Sequence, residues 1–294
     1  MKNKLLVIFF LFLFVFVVQC TKDDDDDDSI VIREYNEQVQ VDQELLENFM
    51  QTHTYNYEDF NNQLNIDIKI DTIMEYNSSK LSLFDLANIQ TIDVQNSEGE
   101  SISHNLYYII AREGSNQNIS IVDSVYVAYE GKLIDGFTFD KSKFPIWLDM
   151  ANTIEGFREG VSKLKTGFYD ENQDGTISYK SFGVGIFFIP SGIGYYENST
   201  TTLPEYSPLI FSVKLMSHTD TDHDNDGIRS ILEDIDGDGK PFGDDTDGDG
   251  LWNMYDSDDD GDGILTIDEI DKDNDSIIDD TDNDGVPDYL DPNN

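Results

Sequence analysis

The sequence predicts an α+β domain, an antiparallel sheet wrapped on one short helix, followed by a repetitive acidic tail. Three observations predict it. Between Ser124 and Ser217 several runs alternate apolar and polar residues at period 2, the mark of strands with one buried face. The run 153–165 instead spaces Ile154, Phe157, Val161 and Leu164 as a helix does. Beyond Thr219 the composition changes, with 28 acidic residues against three basic ones (Arg229, Lys240 and Lys272), a balance of −25.

In chain order, residues 42–50 read as a short helix with Asp42 as N-cap and Leu45 and Phe49 on one face. Residues 65–71 alternate strictly and read as a strand. Residues 106–111 read as another, either the first strand of the sheet or an extension of it. The run 124–133 is a strand, Asp135-Gly136 a hairpin signal, 137–140 a resumed alternation and 144–148 a third strand. Gly167 is placed to stop the helix. Runs 185–190 and 209–215 supply two more strands. Between Gly167 and Gly185 sits an insertion, Asp170-x-Asn172-x-Asp174-Gly175. It fits the first half of a calcium loop, with Ser181 where glutamate is expected, and fits an Asn/Asp/Gly hairpin turn equally well.

The chain has 294 residues, a formal net charge of −43 and a pI near 4.1, which exclude nucleic acid and bare anionic membrane as partners. Cys20 is the single cysteine, so no intramolecular disulfide forms. Lys2 and Lys4 precede an apolar run over 5–18, shorter than the ~20 residues that span a bilayer but suited to a signal peptide. Val17-Val18-Gln19-Cys20 resembles a bacterial lipoprotein processing site, although Gln19 stands where a small residue is usual. The aspartates 23–28 resemble the acidic tether of surface lipoproteins of Bacteroidetes. The resemblance implies a signal peptide over 1–19, lipidation of Cys20, a tether over 20–30 and a lipid anchor in the outer membrane, on its surface or periplasmic face. A plain cleaved signal with a solvated acidic linker is the alternative.

Five motifs follow one another over roughly ninety residues: Val127-Ala-Tyr-Glu-Gly131, Asp135-Gly-Phe-Thr-Phe-Asp140, Ile154-Glu-Gly-Phe-Arg-Glu-Gly160, Ile189-Pro-Ser-Gly-Ile-Gly-Tyr195, and Leu203-Pro204 through Phe211. In that order they resemble the FKBP-type peptidyl-prolyl isomerases. The resemblance implies an isomerase domain over 119–218 with the insertion at 168–185, and an N-terminal embellishment over 31–118. It implies that Tyr129, Phe139, Phe144, Ile154, Phe157 and Phe211 line an apolar pocket. Asp140 then matches the buried acid that orients it, Tyr195 a hydroxyl that donates to a substrate carbonyl, and Thr153 and Leu203 flanking positions. Phe157 replaces the tryptophan common at the pocket floor, and Pro204-Glu205 stands for the usual proline pair. The implied function is a prolyl isomerase or folding assistant for proline-containing polypeptides, needing no catalytic cofactor. A binding or adhesion lipoprotein of the same fold without turnover is the alternative.

The tail repeats Asp-x-Asp-x-Asp-Gly. Four copies are full: Asp222, Asp224 and Asp226 with Glu233 at the twelfth place; Asp245, Asp247 and Asp249 with Asp256; Asp258, Asp260 and Asp262 with Glu269; Asp280, Asp282 and Asp284 with Asp291. Looser copies begin at Asp234 and Asp271. Calcium takes six to eight oxygens at ~2.3–2.6 Å, so alternating carboxylates bend round one ion while glycine makes the turn. The tail, 219–294, is therefore expected to bind structural calcium and to fold with it, leaving the isomerase domain indifferent apart from the loop from Asp170 to Asp174. Its head-to-tail sharing of acids resembles bacterial thrombospondin type 3 repeats more than paired EF-hands.

Overall fold

The structure is a computed structural model that describes residues 33–61, 66–96, 98–273 and 275–293. The expected signal, Cys20 and the aspartate run lie outside the described residues. Helix α1, Tyr35–Thr52, is longer than expected and carries Asp42 in its middle instead of at its N-cap. Its buried residues are Gln38, Asp42, Leu46 and Met50, a stripe at every fourth residue. Two of those four are polar, so apolar spacing alone misses the first half of the helix. Leu45 is exposed. Strands β1 (His53–Tyr55) and β2 (Ile70–Thr72) pair antiparallel, so only the end of the strand expected over 65–71 forms one. The short helix α2, Leu83–Leu86, starts on Ser82, whose hydroxyl accepts the Asp85 N–H.

The remaining strands are β3 (Asn88–Gln95), β4 (Ser101–Arg112), β5 (Ser124–Leu133), β6 (Thr138–Asp149), β7 (Phe168–Glu171), β8 (Ile177–Lys180), β9 (Gly183–Ile189) and β10 (Leu209–Thr219). Six form one antiparallel sheet in the order β3-β4-β9-β10-β5-β6. The boundary expected at 118/119 falls inside this sheet, because β3 and β4 belong to it. Strand β3 is largely exposed and polar, which hides its alternation. The two strands expected over 137–140 and 144–148 are one, β6, broken by a bulge. Tyr129 faces Ser142 while Val127 faces Ile146, so two residues of β5 span four of β6. The insertion is the hairpin β7–β8, with Lys180 Nζ on Asp170 Oδ2, and not half a cation loop.

Both faces of the sheet are covered. On one side Val127, Phe187, Ile189, Leu209, Phe211 and Leu215 meet helix α3, Glu155–Val161. On the other, Tyr107, Ile109, Ile186, Phe188 and Ile210 meet Leu46 and Met50 of α1, with Tyr55 and Leu83. Strand β9 is accordingly buried at every residue and reads as a continuous apolar run. Glycines let α3 sit close on it: a Cβ at Gly156 would lie 2.4 Å from Ile189 Cγ2, and one at Gly160 2.7 Å from the Phe187 ring. Helix α3 ends at Ser162, before Gly167. Gly167 serves a close approach instead, since its Cβ would meet the Lys180 carbonyl at 2.5 Å.

Candidate active site and acidic loops

Adjacent strands bring three rings together over a fourth, Phe157 of α3. Phe211 of β10 lies 5.1 Å from Phe157, 5.5 Å from Phe139 and 6.2 Å from Tyr129 between ring centroids, and Tyr129 lies 6.0 Å from Phe157. Edge-to-face and tilted contacts of this kind suit the aromatic quadrupole. Gly131 makes room for them: a Cβ there would stand 2.7 Å from Phe139 and 2.9 Å from Phe211. The Tyr129 hydroxyl donates to Asp140 Oδ2 at 2.8 Å. Burial, that bond and the nearby carboxylate hold the Tyr129 hydroxyl protonated well beyond its ordinary range. Tyr195 is raised as well, by burial and then by Asp140, which lies within electrostatic reach of it.

Asp140 itself is exposed, a correction to the buried acid that the resemblance implied. It orients Tyr129 from the rim. Phe144 is 77% exposed and is no pocket wall, because the β6 bulge carries it outward. Ile154 packs at the edge of the same core and is the N-cap of α3, and Leu203 is buried within that core. The Thr153 hydroxyl is turned to the Met150 carbonyl at 2.8 Å. A groove of 610 Å³ is lined by Tyr129 together with the charged Asp67, Glu130, Lys141, Lys143 and Lys214.

Tyr195 is held by residues far away in sequence. The turn at Ser191–Ile193 is tied to α1: Asp42 Oδ2 accepts the Ser191 N–H at 2.7 Å and its hydroxyl at 2.6 Å. Gln38 Nε2 donates to the other oxygen at 2.7 Å. Burial pushes the Asp42 carboxyl up, against the pull of those three donors. Tyr196 stacks on Tyr35 at 4.0 Å, and its hydroxyl donates to the Arg33 carbonyl.

The tail is a string of loops with one hydrogen-bond pattern. In six copies the first aspartate accepts the N–H at the sixth place, as in Gly227 to Asp222, Gly250 to Asp245 and Gly263 to Asp258. The fifth-place aspartate accepts the N–H of the apolar residue two further on, as in Ile228 to Asp226 and Val286 to Asp284. Positive φ at Gly227, Gly250, Gly263 and Gly285 explains glycine there. Carboxylates gather in the triplets Asp245, Asp247 and Asp249; Asp258, Asp260 and Asp262; and Asp234, Asp236 and Asp238. Asp256 lies within electrostatic reach of Asp249 and Asp247. Asp280 and Asp282 keep the loop pattern, while Asp291 accepts from the Asn293 N–H. Glu269 is buried with Lys272 Nζ at 3.4 Å.

One group differs from these. Oxygens of Asp224, Asp226, Glu233 and Asp259 lie within 4.8 Å of one another. Burial, and then neighbouring carboxylates (Asp222 among them), push Glu233, Asp259, Asp224 and Asp226 above the ordinary carboxylate range. Hard oxygen donors converging in this way fit a calcium-class cation.

Comparison with known proteins adds a family to this geometry. The FKBP-type peptidyl-prolyl cis-trans isomerase family matches residues 115–171, which hold Tyr129, Phe139, Asp140 and Phe157. This part of the chain is FKBP-like. Similar proteins include a probable FKBP-type isomerase FkpA of Neisseria meningitidis serogroup B, 34% identical over 115 residues, 38% of this chain and 37% of that protein. The isomerase Mip of Chlamydia trachomatis serovar D is 30% identical over 118 residues, 39% of this chain and 42% of that protein. The chain thus spans less than half the length of these curated relatives. The crystal structure of FkpA from Escherichia coli aligns at 26% identity and TM-score 0.33, over 43% of this chain and 51% of that one. Residues 223–278, in the tail, match a family described as BamM C-terminal.

Around the FKBP-type site, sequence reasoning missed three residues. Gly131 carried a signal, since a glycine inside a strand marks a close approach. Asp42 and Ser191 carried none, because their contact crosses 149 positions.

Proposed function

We propose that the FKBP-type domain isomerises X-Pro bonds in polypeptide clients. The observation that carries this is the ring set of Tyr129, Phe139, Phe157 and Phe211 closed around Gly131, with its one tethered hydroxyl. An X-Pro bond is planar through amide resonance, and crossing between isomers meets a barrier of ~18–20 kcal/mol. A dry aromatic surface solvates the charge-separated planar amide poorly and the twisted amide relatively well. Phe157 and Phe211 supply the floor for the proline ring and Phe139 a wall. Asp140 fixes the Tyr129 hydroxyl, and Tyr195 at the rim donates to a carbonyl of the client. No nucleophile or general base is required. The proposal extends to calcium on the tail loops and to a lipid anchor on Cys20 in the outer membrane, both resting on sequence pattern. The second is tested by membrane fractionation of a Cys20→Ser chain, which should turn soluble; retention in the membrane fraction would overturn the anchor.

For the catalytic reading, the measurement is cis–trans relaxation of a proline peptide. Phe139→Ala and Asp140→Ala should each lower kcat/KM by roughly tenfold or more, equivalent to about 1.4 kcal/mol of transition-state stabilisation or above. Circular dichroism should show the sheet intact. Parent-like turnover by Phe139→Ala would remove the assignment.

A further inference from the structure

Asp259 belongs to no cation loop by spacing. It follows the first aspartate of its own copy, at a place the repeat formula leaves open. The fold nevertheless carries it 26 residues back along the chain, to the acids of the loop at 222–233, where its oxygens come within 4.8 Å of those of Asp224, Asp226 and Glu233. Three of these four side chains are almost wholly out of water: Asp226 is 1% exposed, Glu233 0% and Asp259 1%. Asp224 Oδ2, Asp226 Oδ2 and both carboxylate oxygens of Glu233 and of Asp259 find no hydrogen-bond partner. The tail has three lysines and arginines, and all are engaged elsewhere: Arg229 with Asp220, Lys240 with Glu155, Lys272 with Glu269 and Asp288. Buried carboxylates that face one another with no donor and no cation repel, and folding chains do not retain such a cluster for packing.

We propose that Asp259 completes a buried, four-carboxylate site for a hard divalent cation of the calcium class, shared between the loop at 222–233 and the loop at 258–269. The proposal rests on the calcium reading of the tail given above and specifies its first site. The site is a tertiary one. It pins two loops together, and a third joins them, since Tyr289 is buried within electrostatic reach of Asp259, Glu233 and Asp226. Ile270 closes over the first loop, where a Cβ at Gly227 would stand 2.9 Å from its Cδ1. A bead-like string of independent cation loops needs none of these contacts. The tail therefore closes on one cation at this hub.

The experiment compares the purified full chain with Asp259→Asn and Asp262→Asn, the latter removing a carboxylate that gathers with Asp258 and Asp260 of its own loop. Calcium itself is the probe, titrated calorimetrically after chelation, with limited proteolysis and thermal unfolding in calcium and in chelator. Asp259→Asn should weaken one site by about the 10–100-fold that even supporting residues of a metal site carry, and should expose both 222–233 and 256–262 to protease together. Asp262→Asn should leave 222–233 protected. The sign of the stability change is the sharper readout. In chelator Asp259→Asn takes an acid out of a crowded buried cluster and should raise the tail's unfolding temperature; in calcium it removes a ligand and should lower it. A purely structural role gives the same sign in both. Parent-like calcium binding and protection in Asp259→Asn would overturn the shared site while leaving loop-by-loop calcium binding intact. A parent chain that binds no calcium would overturn both.

Discussion

Asp42 shows how one buried side chain governs a site that it does not touch. Its carboxylate takes two donors from Ser191, four residues before Tyr195, and a third from Gln38 of its own helix. Removing it leaves a buried N–H and a buried hydroxyl without an acceptor. Each such loss costs about 1–3 kcal/mol, so Asp42→Ala should destabilise the chain by roughly 2–4 kcal/mol. Asp42→Asn keeps a carbonyl toward Ser191 and should recover most of that loss. Urea unfolding of the two variants checks the order, and equal midpoints would show that Ser191 finds another acceptor. The same geometry predicts a larger fall in proline-peptide turnover for alanine than for asparagine. Residues 31–118 thus hold Tyr195 in place through α1, which makes them more than the embellishment that the resemblance implied.

Among the elements, the turn at Ser191–Ile193 and the strand beneath it form a pH-sensitive joint. His104 of β4 is buried under Gly192, where a Cβ would lie 2.1 Å from its ring, and neither ring nitrogen has a hydrogen-bond partner. Burial holds the imidazole below its ordinary value, and the carboxylates of Glu155 and Asp93 only partly oppose this. Above the unfolded value of about 6.5 the ring is neutral in both states, and its contribution is fully present. As pH falls below that value the unfolded chain takes up a proton that the folded chain resists, so stability declines. His104→Phe, which keeps an edge toward Tyr35, should show a shallower fall in denaturation midpoint between neutral pH and pH 5. Parallel curves for parent and variant would mean that the imidazole is protonated in place. Helix α3 makes a different joint, with Gly156 and Gly160 one turn apart and Ile189 and Phe187 in the space a Cβ would need.

On the scale of the whole molecule, the tail is packed on the FKBP-type domain. Ile121 and Val122 bury against Met254, with Ile231 and Phe242 beside them. Lys240 pairs with Glu155 at 2.9 Å, and the Arg158 guanidinium lies 4.4 Å from the Phe242 ring centroid. Both Glu155 and Arg158 sit on α3, next to the pocket residues Ile154 and Phe157. The expectation of a domain indifferent to its tail overlooks this contact. Met254→Ala should cost about 2–4 kcal/mol in the contact between tail and domain, as core truncations of this size do. Amide exchange should then quicken in α3 and in 219–256 together; faster exchange confined to the tail would show the two to be uncoupled.

Much of this was legible from sequence because it is local. Strand β5 has the bounds its alternation predicts, Phe157 and Val161 of α3 follow their spacing although the helix covers only Glu155–Val161 of the expected 153–165, and the loop pattern follows from Asp-x-Asp-x-Asp-Gly with a glycine at positive φ. Such features depend on neighbours within a turn or a strand pair, and period and turn chemistry report those directly. Tertiary structure decided the rest. The β6 bulge turned Phe144 outward, a polar stripe made α1 twice as long as its apolar residues suggest, and Asp42 reached Ser191. Asp259 met Glu233 for the same physical reason: burial of polar groups is settled by partners distant in the chain, and no period in the sequence encodes a contact whose two halves lie on separate elements.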